Sequence, residues 1–88
     1  MSTNKKQVLF TFFAPDAELV LLSGSFNDWS DVSDPMKQNK TGTWKKTKML
    51  RQGTYEYKFI VDDVWMLDPN CHDTVPNRYG TDNNVIEV

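Results

Sequence analysis

Two tryptophans stand out by where they fall in the chain. Trp29 follows Phe26-Asn27-Asp28 at the mouth of a polar stretch, and Trp65 follows the turn-forming pair Asp62-Asp63. An indole side chain buries roughly 150–250 Å² when covered, so leaving two of them at loop mouths is costly unless something covers them. On position alone two covers stand open: the rings fold back and cap the ends of the protein's own core, or they hold a ligand. The polar residues nearby tilt the choice. Lys58 falls on the non-core face of its strand, close in sequence to Trp65, and Thr81 and Asn83 end a long polar segment. Flat aromatic faces flanked by a few donors and acceptors match a pyranose ring, whose C–H face stacks while its hydroxyl rim seeks hydrogen bonds. If one ring face removes about 100 Å² of apolar surface from water at ~25 cal/mol per Å², each stack contributes on the order of 2 kcal/mol before entropy is charged. Such a site is weak alone and gains from a polymeric ligand.

Other chemistries find less support. A glycoside hydrolase needs two carboxylates facing each other across a cleft at roughly 5–10 Å, but the acids here fall mainly in turns, and a sandwich this small has little room for an enclosed pocket. Asp28, Asp31 and Asp34 recur every third residue, followed by Asp62, Asp63, Asp68 and Asp73, without the glycine and distal glutamate of a calcium loop; they read as solvated turn carboxylates. His72 is isolated and reads as a surface residue. Cys71 is the single cysteine, a bystander thiol with no partner at metal or triad spacing, and it mildly favours a reducing compartment. No metal or other cofactor is expected. Lys37, Lys40, Lys45, Lys46, Lys48 and Arg51 cluster, yet 12 acidic residues outweigh 10 basic ones, which argues against nucleic acid. No apolar run reaches the length of a signal peptide or a membrane span, so the chain reads as a cytoplasmic protein with no membrane partner.

The elements that must position these residues are short β-rich runs between turn residues. Val8 to Ala14 is the first. Glu18 to Phe26 is the second, its core Leu19-Val20-Leu21-Leu22 suiting a strand covered on both faces. Asn27 to Gly42 reads as a long loop with at most a very short strand near Met36. Thr43 to Leu50 resumes as strand; Trp44 within it is core, and its lysines on both alternating faces suit an edge. Thr54 to Val61 alternates most clearly, with Tyr55, Tyr57, Phe59 and Val61 on the core face. Asp62-Asp63 turns it into Val64-Trp65-Met66 as a hairpin. Leu67 to Asn83, with Pro69, Pro76 and Gly80, reads as a long surface loop, and Asn84 to Val88 as a last strand. With 88 residues this is one domain over 1–88, six or seven strands packed as two sheets, with Phe10, Phe12, Val20, Leu22, Tyr57 and Phe59 inside.

Four segments carry a resemblance: Leu22-Ser-Gly-Ser-Phe-Asn-Asp-Trp29, Gly53-Thr-Tyr-Glu-Tyr-Lys-Phe-Ile-Val-Asp-Asp-Val-Trp65, Asp68-Pro69, and Gly80-Thr-Asp-Asn-Asn-Val-Ile-Glu-Val88. In this order they resemble carbohydrate-binding module family 48, which includes the glycogen-binding domain of the AMP-activated protein kinase β subunit and is similar to the N-terminal domains of isoamylases and branching enzymes. The resemblance runs from about Val8 to Val88. It implies an all-β, immunoglobulin-like (early set) β-sandwich of six to eight short strands. It also implies non-catalytic binding of an α-1,4-linked glucan such as glycogen, starch or a maltooligosaccharide. The stacking tryptophans then fall on Trp29 and Trp65, the hydrogen-bonding lysine on Lys58 and the asparagine on Asn83, with Thr81 beside it. Where the kinase domain presents a loop leucine to the glucan this chain has Tyr79, which either adds a stacking face or blocks the site.

The chain departs from the family in two further ways. Lys46 and Lys48 occupy strand positions that are commonly apolar there. The kinase subunit and the branching enzymes continue past this domain, so a chain stopping at Val88 is expected to be either free-standing or an excised piece. The competing reading is a protein-interaction module of the same fold, docking a kinase or a glucan-metabolising enzyme through the aromatic face or a sheet edge.

Overall fold

The alternation in Thr54–Val61 sets the sheet that most other strands join. In the computed structural model, which describes residues 4–88, this run is strand β5 of eight: β1 (Lys5–Phe13), β2 (Val20–Gly24), β3 (Lys37–Gln38), β4 (Thr43–Arg51), β5 (Thr54–Val61), β6 (Val64–Met66), β7 (Thr74–Pro76) and β8 (Asp82–Glu87). The first three residues of the domain expected over 1–88 lie outside the described residues. One antiparallel sheet has the order β1-β4-β3 and the other β2-β5-β8-β7. Phe59 pairs with Leu22 on one side and Met66 on the other, so β6 flanks β5 opposite β2. Ser25–Asn27 form a single 3-10 turn, the only helical element among the described residues. This is the all-β sandwich that the runs predict, of the immunoglobulin-like kind that the resemblance implies.

The two sheets close on each other through Phe10 and Phe12 of β1, Val20 and Leu22 of β2, Trp44 and Leu50 of β4, Tyr57 and Phe59 of β5, and Met36 just before β3, all buried. Aromatic edges knit the layers: Phe10 meets Tyr57 at 4.9 Å between centroids and Phe12 meets Phe59 at 5.0 Å, favourable tilted or edge-on geometries. The Trp44 indole N–H donates to the Ala14 carbonyl at 2.8 Å, so this tryptophan enters the core without an unpaired donor. The Tyr57 hydroxyl donates to Asp68 Oδ2 at 2.7 Å. Burial, followed by that acid and the Cys71 thiol, pushes the phenol's pKa far up, so it stays a proton donor.

Several expectations are corrected. β4 is not an edge strand: it lies between β1 and β3, although β3 covers only Trp44 and Lys45. Its lysines on the inner face are there for another reason. Register places Lys46 opposite Phe10 and Lys48 opposite Val8, on the same face as buried Trp44 and Leu50, and both ammonium groups reach Asp34. Asp34 is therefore no solvated turn acid; it is 6% exposed. Asp62 is likewise structural, its Oδ1 accepting from the backbone N–H groups of Glu18 and Leu19 at 3.0 and 2.9 Å.

The second run stops early, because at Gly24 the chain leaves β2 for the 3-10 turn that contains Phe26. The long loop from Leu67 to Asn83 hides strand β7, and β8 begins at Asp82, so Asn83 lies on a strand and not in a loop. Pro76 disguised β7: lacking an N–H it reads as a breaker, but β7 ends the sheet order, an edge position where that donor is not needed. Finally, β5 is covered on both faces at its centre. Lys58 and Ile60 are 8% and 4% exposed, with Ile60 flanked by its cross-strand partners Leu21 and Trp65.

Candidate functional site

The outer face of the β2-β5-β8-β7 sheet carries a groove of about 950 Å³. Its walls grow from three local decisions in the chain. The first is the β5–β6 hairpin. Asp62 and Asp63 have φ of 46° and 69°, the two left-handed residues of a type I′ turn, whose twist suits a two-residue hairpin. That turn sets Trp65, which is 46% exposed, opposite Ile60.

The second decision is the turn after β2. A Cβ on Gly24 would sit 2.5 Å from the Glu56 carbonyl oxygen, so only glycine lets this turn lie so close to β5. Asp28 and Trp29 then adopt φ of 55° and 58°. Left-handed backbone costs roughly 1–2 kcal/mol per L-residue, and a bulky residue there is an outlier. The Trp29 N–H donates to the Gly24 carbonyl at 2.8 Å and the Ser30 N–H to the Asn27 carbonyl at 3.1 Å, which holds the conformation. As a result the Trp29 and Trp65 ring centroids lie 6.5 Å apart, with planes tilted by 47°. Trp29 is half-buried and neither ring is lost to the core.

The third decision is the β7–β8 connection, organised by Asn77. Its Oδ1 accepts from the N–H groups of Tyr79 and Thr81 at 2.9 and 3.2 Å, and its Nδ2 donates to Thr81 Oγ1 at 2.7 Å and to Asn83 Oδ1 at 2.9 Å. Asn83 Nδ2 donates onward to Glu56 Oε1 at 3.1 Å, and Lys58 Nζ donates to Thr81 Oγ1 at 3.4 Å. The result is a polar chain across the groove floor, Glu56–Asn83–Asn77–Thr81–Lys58. Lys58 spends one of its three donors on this chain and makes no ion pair among the described residues, which leaves donors for a ligand's oxygens. Tyr79 stands at the rim, 79% exposed, with the Arg78 guanidinium 5.6 Å from its ring centroid.

All six residues singled out from the sequence, Trp29, Lys58, Trp65, Tyr79, Thr81 and Asn83, line this one groove. Sequence reasoning passed over Ser25, Asp28, Glu56, Asn77 and Arg78, which line it too. Asn77 was the findable one: Pro76-Asn77 followed by Gly80 is turn composition, and an asparagine bonding the backbone N–H two residues on is the usual Asx device. Formal charges in the groove cancel, with Lys58 and Arg78 against Asp28 and Glu56, so the site is polar without net charge. Cys71 and His72 do not line it. The Cys71 thiol donates to the Val85 carbonyl at 3.4 Å, and His72 is exposed. Among the described residues no three His, Cys, Asp or Glu side chains converge as a metal site.

The sequence matches a family described as "Glycogen recognition site of AMP-activated protein kinase" over residues 7–88. It is 33% identical over 84 residues to an amyloplastic phosphoglucan phosphatase of Castanea sativa, covering 96% of this chain and 22% of that protein. It is 37% identical over 82 residues to the chloroplastic protein FLOURY ENDOSPERM 6 of Oryza sativa subsp. japonica, covering 93% of this chain and 15% of that one. With the 5'-AMP-activated protein kinase subunit beta-1 of Rattus norvegicus it shares 41% identity over 69 residues, 78% of this chain and 24% of the subunit. The chain thus spans a quarter or less of the length of these three relatives.

Proposed function

The chain belongs to the family of the glycogen recognition site of AMP-activated protein kinase, a non-catalytic carbohydrate-binding module, and from that premise we propose that its groove binds an α-1,4-linked glucan through Trp29, Lys58, Trp65, Tyr79, Thr81 and Asn83. The observation that carries this reading is the tryptophan pair, 6.5 Å between centroids and inclined by 47°, at a polar groove of zero formal charge. Successive sugar rings of an α-1,4-linked chain turn relative to one another, so the faces they present are inclined and not coplanar. Two inclined indoles fit that curvature better than they fit the flat ribbon of a β-1,4-linked chain. Lys58 and the carboxamide of Asn83 supply hydrogen bonds to the hydroxyl rim, Thr81 is held between Lys58 and Asn77, and Tyr79 offers a third face from the rim.

We read residues 1–88 as one such domain, acting by attachment and not by catalysis. In a larger assembly it would hold a kinase or a glucan-metabolising enzyme on its polysaccharide. Partner docking as such is favoured by a different surface. Strands β1, β3 and β4 expose Lys5, Lys6, Lys37, Lys45 and Arg51, apart from the inward Lys46 and Lys48, and carry not one acidic residue, on the sheet that does not bear the groove. No helix among the described residues is long and apolar enough to cross a membrane. Cytoplasmic residence is a proposal that cell fractionation tests. The glucan reading is tested by titrating the protein with β-cyclodextrin or maltoheptaose while following tryptophan fluorescence. A saturable change is expected, and its absence at millimolar ligand would overturn the reading.

A further inference from the structure

Asp34 does not line the groove, yet it is the only buried carboxylate among the described residues. Its Oδ2 accepts from Asn27 Nδ2 at 2.7 Å, both its oxygens lie 3.1 Å from Lys48 Nζ, and Lys46 Nζ is 3.7 Å from Oδ1. Burial alone would push this carboxyl up; the hydrogen bonds from Asn27 and Lys48 and the two ammonium charges outweigh it and hold the group below the usual carboxylate range. The loop that Asp34 ends is already closed by the backbone, where Leu22 N–H donates to the Asp34 carbonyl at 3.0 Å and Met36 N–H to the Val20 carbonyl at 2.8 Å. An ionised side chain is not needed for that closure, and apolar residues of similar volume would fill the space without the desolvation cost.

What the buried charge touches is Asn27. The Asn27 carboxamide is spent on the turn that carries Trp29: its Oδ1 accepts from the Gly24 N–H at 3.0 Å and its Nδ2 donates to the Leu22 carbonyl at 3.1 Å as well as to Asp34. The Asn27 carbonyl accepts from Ser30, so the two left-handed residues Asp28 and Trp29 are bracketed by bonds to this one residue. The Lys48 ammonium also sits 5.8 Å from the centroid of the Phe26 ring, in the same 3-10 turn. Asp34, Lys48 and Lys46 therefore tie the turn to β4, in the opposite sheet.

We propose that Asp34 is the positioning residue for Trp29: held between Lys48 and Lys46, it fixes Asn27, and through Asn27 the turn that inclines the Trp29 ring against Trp65. The consequence for ligand affinity rests on the glucan reading above; the consequence for ring geometry does not. The two are separated by measuring the exciton couplet of the paired indoles by circular dichroism without ligand, beside a β-cyclodextrin titration, with Trp65→Ala giving the zero of the couplet.

The double variant Asp34→Leu/Lys48→Leu keeps an apolar filling while removing the anchor of Asn27. It is expected to unfold cooperatively, lose at least about half of the couplet and bind β-cyclodextrin about tenfold more weakly. Asp34→Asn, in which a charge-assisted hydrogen bond becomes a neutral one, is expected to lose about threefold in affinity with a smaller drop in the couplet, and it decides the matter if the double variant does not fold. A couplet and affinity unchanged from wild type in either folded variant would overturn the proposal. If the wild-type protein fails to bind β-cyclodextrin, the glucan reading falls while the couplet still decides what Asp34 does.

Discussion

Replacing Trp65 by alanine separates a stacking platform from a piece of core, and the structure supplies the magnitude. An indole side chain spans roughly 150–250 Å². At 46% exposure Trp65 therefore keeps about 70–115 Å² in water in the free protein, available to a sugar face. At ~25 cal/mol per Å² that surface is worth about 2–3 kcal/mol on binding, and the lower end corresponds to a loss of about thirtyfold in affinity for a soluble maltooligosaccharide. The cost to folding is of similar size, about 2–3 kcal/mol, because the covered half of the ring, roughly 80–135 Å² by the same measure, is lost as well. Uncovering Ile60, its cross-strand partner, accounts for about 1 kcal/mol. A fluorescence titration read through the remaining tryptophans, with a thermal melt beside it, measures both. A folded Trp65→Ala protein that binds β-cyclodextrin as tightly as wild type would refute the stacking argument outright.

Trp44→Ala is expected to act on the fold and not on the groove, destabilising the protein by about 3–5 kcal/mol in a denaturant titration, since that ring is 7% exposed and its N–H is spent inside. Lys58→Met should fall between, with the melting midpoint little changed and an affinity loss of about 1–2 kcal/mol by calorimetry. For Asn77→Ala the expected loss is about fivefold in affinity, with faster amide exchange at Tyr79 and Thr81, whose N–H groups it holds. The Asp34 carboxyl is lowered in the folded state, so its contribution to stability is complete above the unfolded value near 4 and is lost as pH falls through the folded value; Asp34→Asn should flatten the acid limb of the stability curve. Raising the salt from about 50 to 500 mM should change the affinity for a neutral glucan by less than about twofold, because the groove's charges cancel.

How far the sequence could be read depended on whether a signal was local. The alternation in Thr54–Val61 and the Asp62-Asp63 turn placed β5, β6 and the core face correctly, because period and turn type are properties of neighbouring residues. Tyr57 and Phe59 are buried as that alternation required. Burial of Lys58 and Ile60 on the other face was not legible, since Ile60 is flanked by Leu21 and Trp65 and Lys58 meets Ser23 and Thr81, all from other parts of the chain. The Asp34 cluster was misread for the same reason: three charges at positions 34, 46 and 48 look solvated one by one, and only the pairing of β4 with β1 turns the lysines inward. The groove was half legible. Its aromatic walls and Lys58 stand out by type, whereas Asn77 and Glu56 act through hydrogen bonds to residues that only the fold brings near.

The shallowness of the platform has a kinetic side. If two stacks and a few hydrogen bonds leave a net of about −5.5 kcal/mol, the dissociation constant is about 100 µM. With association at ~10⁶ M⁻¹s⁻¹, each encounter then lasts about 10 ms. With Trp65 half-exposed and Tyr79 freely exposed at the rim, none of the described residues has to lift before release. A protein tethered through such a groove would not stay where it first landed. It would step from one stretch of polymer to the next many times a second, sampling a surface and not marking one spot on it.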